Sequence, residues 1–137
     1  MHIKGEDKLS YIKIHVDKED EMGVCFSVET HSRGISASLG GFYIVTTDIT
    51  KFIAELGTLE NKRSGVACLL SAYPEEFSLS IRCVNRRGHV IISLRMKDIS
   101  YYEELMTPCS VEVSFGIDPT SLPELLKHCK LLERDAM

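Results

Sequence analysis

Apolar and polar residues alternate through the first third of the chain. Three alternating runs, at 9–16, 22–28 and 35–39, predict half-buried strands that pair across polar turns at 17–21 and 31–34. The adjacent glycines Gly40 and Gly41 predict a bulge or a bend before a short strand at 42–45. This part of the chain therefore favours an antiparallel sheet.

The spacing changes to a helical period after residue 45. Apolar residues recur three and four positions apart at Ile49, Phe52, Ile53 and Leu56. Thr47 or Asp48 is predicted to cap the start of this helix, and Gly57 is predicted to end it. A polar loop is expected at 60–65.

Alternation returns in the second half of the chain. A short apolar run at 66–72 is consistent with a buried strand. The segments 77–82 and 90–96 alternate on either side of a turn at 85–88, where Gly88 can adopt a positive φ, and together they predict a hairpin. We expect a loop with Tyr101, Tyr102 and Pro108 to follow, and then a last strand at 111–115.

A second helical pattern follows residue 118. Asp118 or Ser121 can cap it, and its apolar stripe consists of Leu122, Leu125, Leu126, Cys129 and Leu132. We therefore predict one α+β domain over residues 1–137, with about seven strands in a mostly antiparallel curved sheet or open barrel and two packed helices. The predicted core is Ile12, Ile14, Val24, Phe26, Ile49, Phe52, Leu56, Leu79, Ile81, Val90, Ile92, Leu94, Val113, Phe115, Leu125 and Leu126.

Composition and charge narrow the function classes. The chain has 137 residues, of which 44% are hydrophobic, enough for a core without a metal or disulfide. Its 16 basic and 20 acidic residues give a net charge of −4, which argues against a general binder of nucleic acid or anionic membranes. The polar start and the lack of a run of roughly 20 apolar residues favour a cytoplasmic protein without a membrane span. The five cysteines are widely separated and are expected to be reduced core residues.

Motifs for catalysis or metal binding are not evident in the sequence. No histidine or cysteine pair has metal-ligand spacing, and there is no glycine-rich phosphate loop or nucleophile elbow. His89 has no carboxylate within its own hairpin, which favours a turn histidine over a catalytic one. We therefore expect no metal, no cofactor and no enzymatic activity. An active site assembled from distant positions stays an alternative.

Two charged segments are candidate binding surfaces. The segment 82–97 has five basic residues and no acidic one, whereas the segment 17–21 has a net charge of −3. Arg82, His89 and Arg95 share the polar strand phase, so they form either a basic stripe on one sheet face or an ordinary solvated face. Tyr101 and Tyr102 follow this segment and could stack on nucleic-acid bases.

Three short motifs between residues 26 and 132 carry a family resemblance. The segment 47–52 has an acid–aliphatic–aromatic pattern at Asp48, Ile49 and Phe52, and the segment 87–91 reads Arg-Gly-His-Val-Ile. The segment 115–122 opens the last helix with an Asp-x-x-x-Leu pattern. Together these motifs resemble the WapI-type immunity-protein family of bacterial polymorphic toxin systems. The tryptophans common in that family are absent from this chain.

The resemblance implies a non-enzymatic cytoplasmic protein that binds and neutralises a cognate secreted toxin domain. Nuclease toxins have basic clefts, so the first candidate for the contact is an acidic set, Asp17, Glu19, Asp20 and Glu21. The alternative contact is a basic set, Arg82, Arg86, Arg87, His89 and Arg95. The alternative function is a small nucleic-acid or regulatory binding module that uses the hairpin at 82–97. The identity of the toxin and the oligomeric state stay open.

Overall fold

Eight strands and two helices make up the structure, a computed structural model that describes the backbone of residues 1–136 and the side chains of residues 1–131. The first four strands are β1 (His2–Lys4), β2 (Tyr11–Glu19), β3 (Gly23–Ser32) and β4 (Ile35–Val45). The last four are β5 (Val66–Leu70), β6 (Phe77–Cys83), β7 (Val90–Tyr102) and β8 (Leu105–Ile117). Helix α1 (Thr46–Lys62) lies between the two groups, and a 3₁₀ turn (Pro119–Ser121) leads into α2 (Leu122–Ala136).

The strands form two open antiparallel sheets of four strands each, in the orders β1-β2-β3-β4 and β5-β6-β7-β8. We call them the first and the second sheet. Within each sheet every strand pairs with its neighbour in the chain, as expected for hairpin-length connections. The predicted α+β class and antiparallel pairing are confirmed, but the strands form two separate sheets and number eight. Strand β1 was missed because three residues are too few to show an alternation.

One hydrophobic core joins the two sheets and the helices. Phe26 and Phe42 of the first sheet meet Phe77 of the second, with ring centroids 4.9 to 5.5 Å apart. Helix α1 contributes four buried residues, Ile49, Phe52, Leu56 and Leu59. All the predicted core residues are buried except Leu126, which is partly buried. The predicted stripe residue Leu132 lies outside the described side chains.

Helix α1 is longer than predicted, and its ends are different. It runs through Gly57 and the first part of the expected loop, and it ends at Arg63, whose φ of 52° is left-handed. The N–H of Arg63 donates to the Leu59 carbonyl at 2.8 Å, and its guanidinium donates to the Pro119 carbonyl at 3.3 Å. Burial of Leu59 extends the apolar stripe past Gly57 and outweighs the low helix propensity of glycine. The start has no side-chain cap, so the prediction for Thr47 or Asp48 was wrong.

Strand boundaries also differ at the hairpin turns. Strand β2 includes Asp17 and Glu19, and the turn expected at 31–34 is reduced to Arg33 and Gly34. Three residues placed on apolar strand faces are exposed where the sheet is not covered, namely Val16 (41%), Met22 (68%) and Ile35 (52%). The bulge predicted at Gly40 and Gly41 is confirmed by a register shift opposite Ser27.

A cluster of hydrogen bonds connects the β1–β2 turn to the first sheet. The Asp7 carboxylate accepts hydrogen bonds from the N–H groups of Leu9 (3.0 Å) and Ser10 (2.8 Å) and from the Ser10 hydroxyl (2.6 Å). The Ser10 hydroxyl also contacts the buried Ser32 hydroxyl at 2.8 Å. The hydrogen bonds from Ser10 and Leu9 hold the pKa of Asp7 below its ordinary value of 3.8. The Asp7 carboxylate is therefore ionised at neutral pH and accepts all three hydrogen bonds.

The largest correction concerns the segment predicted as a loop with Tyr101, Tyr102 and Pro108. It is continuous strand, because β7 and β8 pair without interruption from Val90 opposite Ile117 to Tyr102 opposite Leu105. The predicted hairpin of β6 and β7 and the last strand at 111–115 are both confirmed. The two 13-residue strands β7 and β8 are the longest in the structure.

Truncating a core side chain of the β6–β7 hairpin should destabilise the fold strongly. Leu79 and Ile92 are buried to 1% and 0% exposure, so replacing either with Ala should cost about 2–5 kcal/mol in free energy of unfolding. The matched control is Leu105→Ala, because this leucine is 72% exposed and should change stability by roughly 0.5 kcal/mol or less. Denaturant melts measure both. Equal losses for Leu79→Ala and Leu105→Ala would contradict the burial pattern.

Candidate partner-binding arm

The outer half of the β7–β8 hairpin extends beyond the second sheet. Strand β6 pairs with β7 only as far as Phe77 opposite Met96. One further hydrogen bond joins the Lys97 N–H to the Glu76 carbonyl at 2.9 Å. From residue 98 onward β7 pairs with β8 alone, up to Tyr102 opposite Leu105. We call this two-stranded ribbon, residues 98–109, the arm.

Strand alternation gives the arm two different faces. One face continues the solvent side of the second sheet and carries apolar side chains, Ile99, Tyr101, Met106 and Pro108. The other face begins with small or polar residues, Asp98, Ser100, Thr107 and Cys109, and ends with Tyr102 opposite Leu105. Apolar side chains therefore occupy both faces at the tip.

The tip of the arm is strongly exposed. Tyr101 and Tyr102 are 67% and 71% exposed, and Leu105 and Met106 are 72% and 55% exposed. Single exposed apolar residues are ordinary, but a contiguous group on a projecting element is typical of an interaction site. Tyrosine suits such a site because it combines a large apolar ring with a hydroxyl that can hydrogen bond.

The turn at the tip carries negative charge in a strained conformation. Glu103 and Glu104 form a two-residue loop, and Glu103 has a φ of 57°. This left-handed conformation usually belongs to Gly or Asn and costs other residues about 1 kcal/mol. Lys8, Arg33 and Arg63 also have positive φ values, and the guanidinium groups of the two arginines donate hydrogen bonds to backbone carbonyls. Within the described residues, the exposed Glu103 carboxylate makes no such bond, so its charge faces solvent.

The acidic set lies on a different hairpin. Asp17 is the extra residue of a β-bulge in β2, and Glu19 and Glu21 are exposed beside it. Asp20 instead has a structural role, because its carboxylate accepts hydrogen bonds from the N–H groups of Met22 (2.8 Å) and Gly23 (2.9 Å). Asp17, Glu19 and Glu21 are therefore the members that can contact a partner without disturbing the turn.

The basic set does not form a continuous stripe. Arg82 and Arg95 lie on the solvent face of the second sheet, but the paired Ser80 and Ser93 stand between them. Arg95 also lies 3.8 Å from the Glu112 carboxylate. The positive charge of the set is therefore divided among separate positions.

The remaining basic residues lie in the β6–β7 turn. Arg86 and Arg87 are exposed, and the His89 ring accepts a hydrogen bond at Nδ1 from the Asn85 side-chain amide at 2.8 Å. This turn and the tip of the arm lie at opposite ends of β7, separated by about 40 Å at roughly 3.3 Å per residue. Tyr101 and Tyr102 therefore do not share a surface with Arg86 and Arg87.

A polar network covers the open face of the first sheet. The Tyr11 and His31 rings stack at 5.9 Å, and the Lys13 ammonium lies 5.0 Å from the centre of the Tyr11 ring. The Tyr11 hydroxyl donates to Glu29 at 3.3 Å, and His15 lies 4.0 Å from the same carboxylate. Sequence spacing did not reveal this cluster, because its members come from different strands. Across residues 1–131, no group of three or more His, Cys, Asp or Glu side chains is arranged to hold a metal ion.

A groove of about 430 Å³ lies between β1 and α2. Its polar lining includes His2, Glu124 and His128, and the last two are 4.0 Å apart on successive turns of α2. Such a pair is common on exposed helix surfaces. Partial burial and the nearby Lys13 lower the pKa of His2, which favours its neutral form.

Comparisons with known proteins do not add a relative. No protein-family model matches the chain, and no characterised protein or solved structure matches it either. Within the described residues, no helix is long and apolar enough to cross a membrane. The candidate site consequently depends on the geometry of the arm alone.

The cysteines should differ sharply in reactivity. The expectation that all five cysteines are core residues was wrong for Cys109, which is exposed on the arm. Cys129 is buried in α2, and burial raises the pKa of its thiol to about 12. A thiol reagent applied to the native protein should modify Cys109 first and should modify Cys129 only after unfolding. In denaturant without reductant the same assay should count five thiols. Early labelling of Cys129, or a count of three or one, would contradict this assignment.

Proposed function

We propose that the protein is an immunity protein that neutralises a toxin domain by binding it through the arm. The observation that carries the proposal is the exposed apolar tip, in which Tyr101, Tyr102, Leu105 and Met106 project from a firmly anchored hairpin. Binding energy in protein interfaces is concentrated in a few buried anchors, with tyrosine among the most frequent. The tip offers such anchors already exposed in the free protein.

The anchoring of the arm supports this function. Its strands continue directly from the buried residues Leu94, Met96 and Val113, so the ribbon is held in one register. A binding element that is ordered before association loses less conformational entropy on binding. This matters for an inhibitor of a lethal enzyme, which needs nearly complete occupancy of its target.

The family resemblance supports the proposal in a complementary way. The first and third motifs occupy structural positions, because Ile49 and Phe52 are buried in α1 and Phe115 and Leu122 are buried where β8 leads to α2. The arm lies in the chain between the second and third motifs. A fold of this kind can keep its core while its projecting element differs from one toxin partner to another.

The proposal predicts that the gene directly upstream encodes a secreted toxin, and that the toxin domain forms a tight complex with this protein. The two purified proteins should form a one-to-one complex with a Kd of about 1 nM or lower. The double variant Tyr102→Ser with Leu105→Ser should weaken binding about 100-fold or more, since both anchors are lost. Both residues are exposed, so circular dichroism and thermal melts should stay unchanged.

The matched control removes charge from the other candidate hairpin. The triple variant Asp17→Ser, Glu19→Ser and Glu21→Ser spares Asp20, which holds the turn. We expect this variant to protect co-expressing cells from the toxin as the wild type does, and the tip variant to fail. A wild-type protein that neither binds nor protects would overturn the proposal. Salt-sensitive binding to single-stranded oligonucleotides instead would support the nucleic-acid alternative.

A further inference from the structure

The free edge of β8 shows how the arm can and cannot contact a partner. In an antiparallel pair, the backbone groups of each strand point alternately toward the partner strand and away from it. Proline has no N–H, so Pro108 and Ile99, which lie opposite each other, form a pair without mutual hydrogen bonds. The backbone of every second residue of β8, counted from Pro108, therefore points to the free edge.

Two contacts near the sheet confirm this alternation and cover part of the edge. The Ser114 carbonyl accepts a hydrogen bond from the Arg33 guanidinium at 2.8 Å, and the Gly116 carbonyl accepts one from the Glu6 N–H at 2.9 Å. Further out, Pro108 leaves a gap where an added strand would need an N–H donor. Proline at such a position is a common protection against edge-to-edge pairing.

The other edge of the arm, formed by β7, also has few free backbone groups. The Lys97 N–H is already bonded to Glu76, which leaves the backbones of Ile99 and Tyr101 as the outward-pointing groups of β7 before the turn. A cleft of about 150 Å³ beside Ile99 is bordered by Gly40 and Gly41 of β4. The free part of the β7 edge, residues 99–101, is shorter than the usual strand of five to six residues. Neither edge of the arm therefore provides a full template for strand addition.

The charge of the arm defines the surface that it fits. Residues 98–109 contain three acidic residues, Asp98, Glu103 and Glu104, and no basic residue. The strained backbone of Glu103 places one of these charges at the outermost turn, between the exposed Tyr102 and Leu105. Complementary charge across an interface accelerates association and selects the partner.

We infer that the arm enters an apolar cleft of its protein partner tip first, that the rim of this cleft is positively charged, and that no strand is added to either edge. This inference rests on the proposed function and specifies the surface of the toxin domain. Tyr102 and Leu105 fill the floor of the cleft, while Glu103 and Glu104 face its basic rim. In a cleft that binds an anionic substrate, Glu103 and Glu104 would contact the same cationic side chains that bind the substrate.

Association and dissociation rates with the toxin domain encoded by the upstream gene test this inference over a range of salt concentrations. The variant Glu103→Gln with Glu104→Gln should lower the association rate about tenfold at low salt and flatten its salt dependence. The matched control, Glu19→Gln with Glu21→Gln, removes the same charge from the β2–β3 hairpin and should leave the rates unchanged. The inference would be overturned if the control variant flattened the salt dependence of the association rate and the tip variant did not.

The variant Pro108→Thr separates tip insertion from strand addition. It restores an N–H on the free edge of β8, so tip-first binding predicts a Kd within about threefold of wild type for its monomeric fraction. A partner strand on this edge would gain a hydrogen bond and bind about tenfold more tightly, which would overturn the inference. Failure of the wild type to bind removes the proposed function itself. Wild-type binding that Tyr102→Ser with Leu105→Ser weakens, but whose association rate Glu103→Gln with Glu104→Gln leaves unchanged, removes only the inference.

Discussion

The exposed half of the β7–β8 hairpin depends on its buried half. An isolated two-stranded hairpin is at best marginally stable in water. Here the inner half of the same two strands buries Ile92 and Leu94 on β7 and Val113 and Phe115 on β8. This burial fixes the register, because a slip of one residue would turn every core side chain toward solvent. The arm continues the same register, so Tyr101 and Tyr102 are held on opposite faces.

The aromatic contact between the sheets lies at the base of the arm. Phe77 packs against Phe26 and Phe42, and it also pairs with Met96, the last residue of β7 that has a partner on β6. The aromatic contact between the two sheets therefore lies where the hairpin leaves the second sheet. On the other edge, the hydrogen bonds of Arg33 and Glu6 to β8 connect the first part of the chain to the same hairpin.

Sequence periodicity predicted the parts of the fold in which one face is buried. The hairpin of β6 and β7, the bulge at Gly40 and Gly41 and the inner face of α1 all follow from apolar spacing. The same rule failed for the arm, because neither of its faces is buried and its residues show no alternation. Its Glu103-Glu104 turn also lacks the Asn-Gly or Asp-Gly signal of a two-residue hairpin. Gly57 was misleading because tertiary burial of Leu59 continues the helix beyond it.

The candidate site was only partly visible in the sequence. Charged clusters such as Arg86 and Arg87 can be identified by counting, but the exposure of an apolar group is a property of the folded chain. Tyr101 and Tyr102 were singled out as aromatic residues near a basic segment, and the fold places them about 40 Å from its turn at roughly 3.3 Å per residue of β7. The division of roles within the acidic set, with Asp20 bonded to its own turn, likewise required the structure.

Amide hydrogen exchange, measured with and without the proposed toxin partner, tests the central claim most directly. In the free protein the arm should exchange faster than the buried half of β7, because its hydrogen bonds lie in a solvated two-stranded ribbon. Binding through the arm predicts that exchange at residues 100–107 slows by about tenfold or more, while exchange in the turns at 17–21 and 84–89 is unchanged. Protection of either turn, with the arm unaffected, would contradict the account.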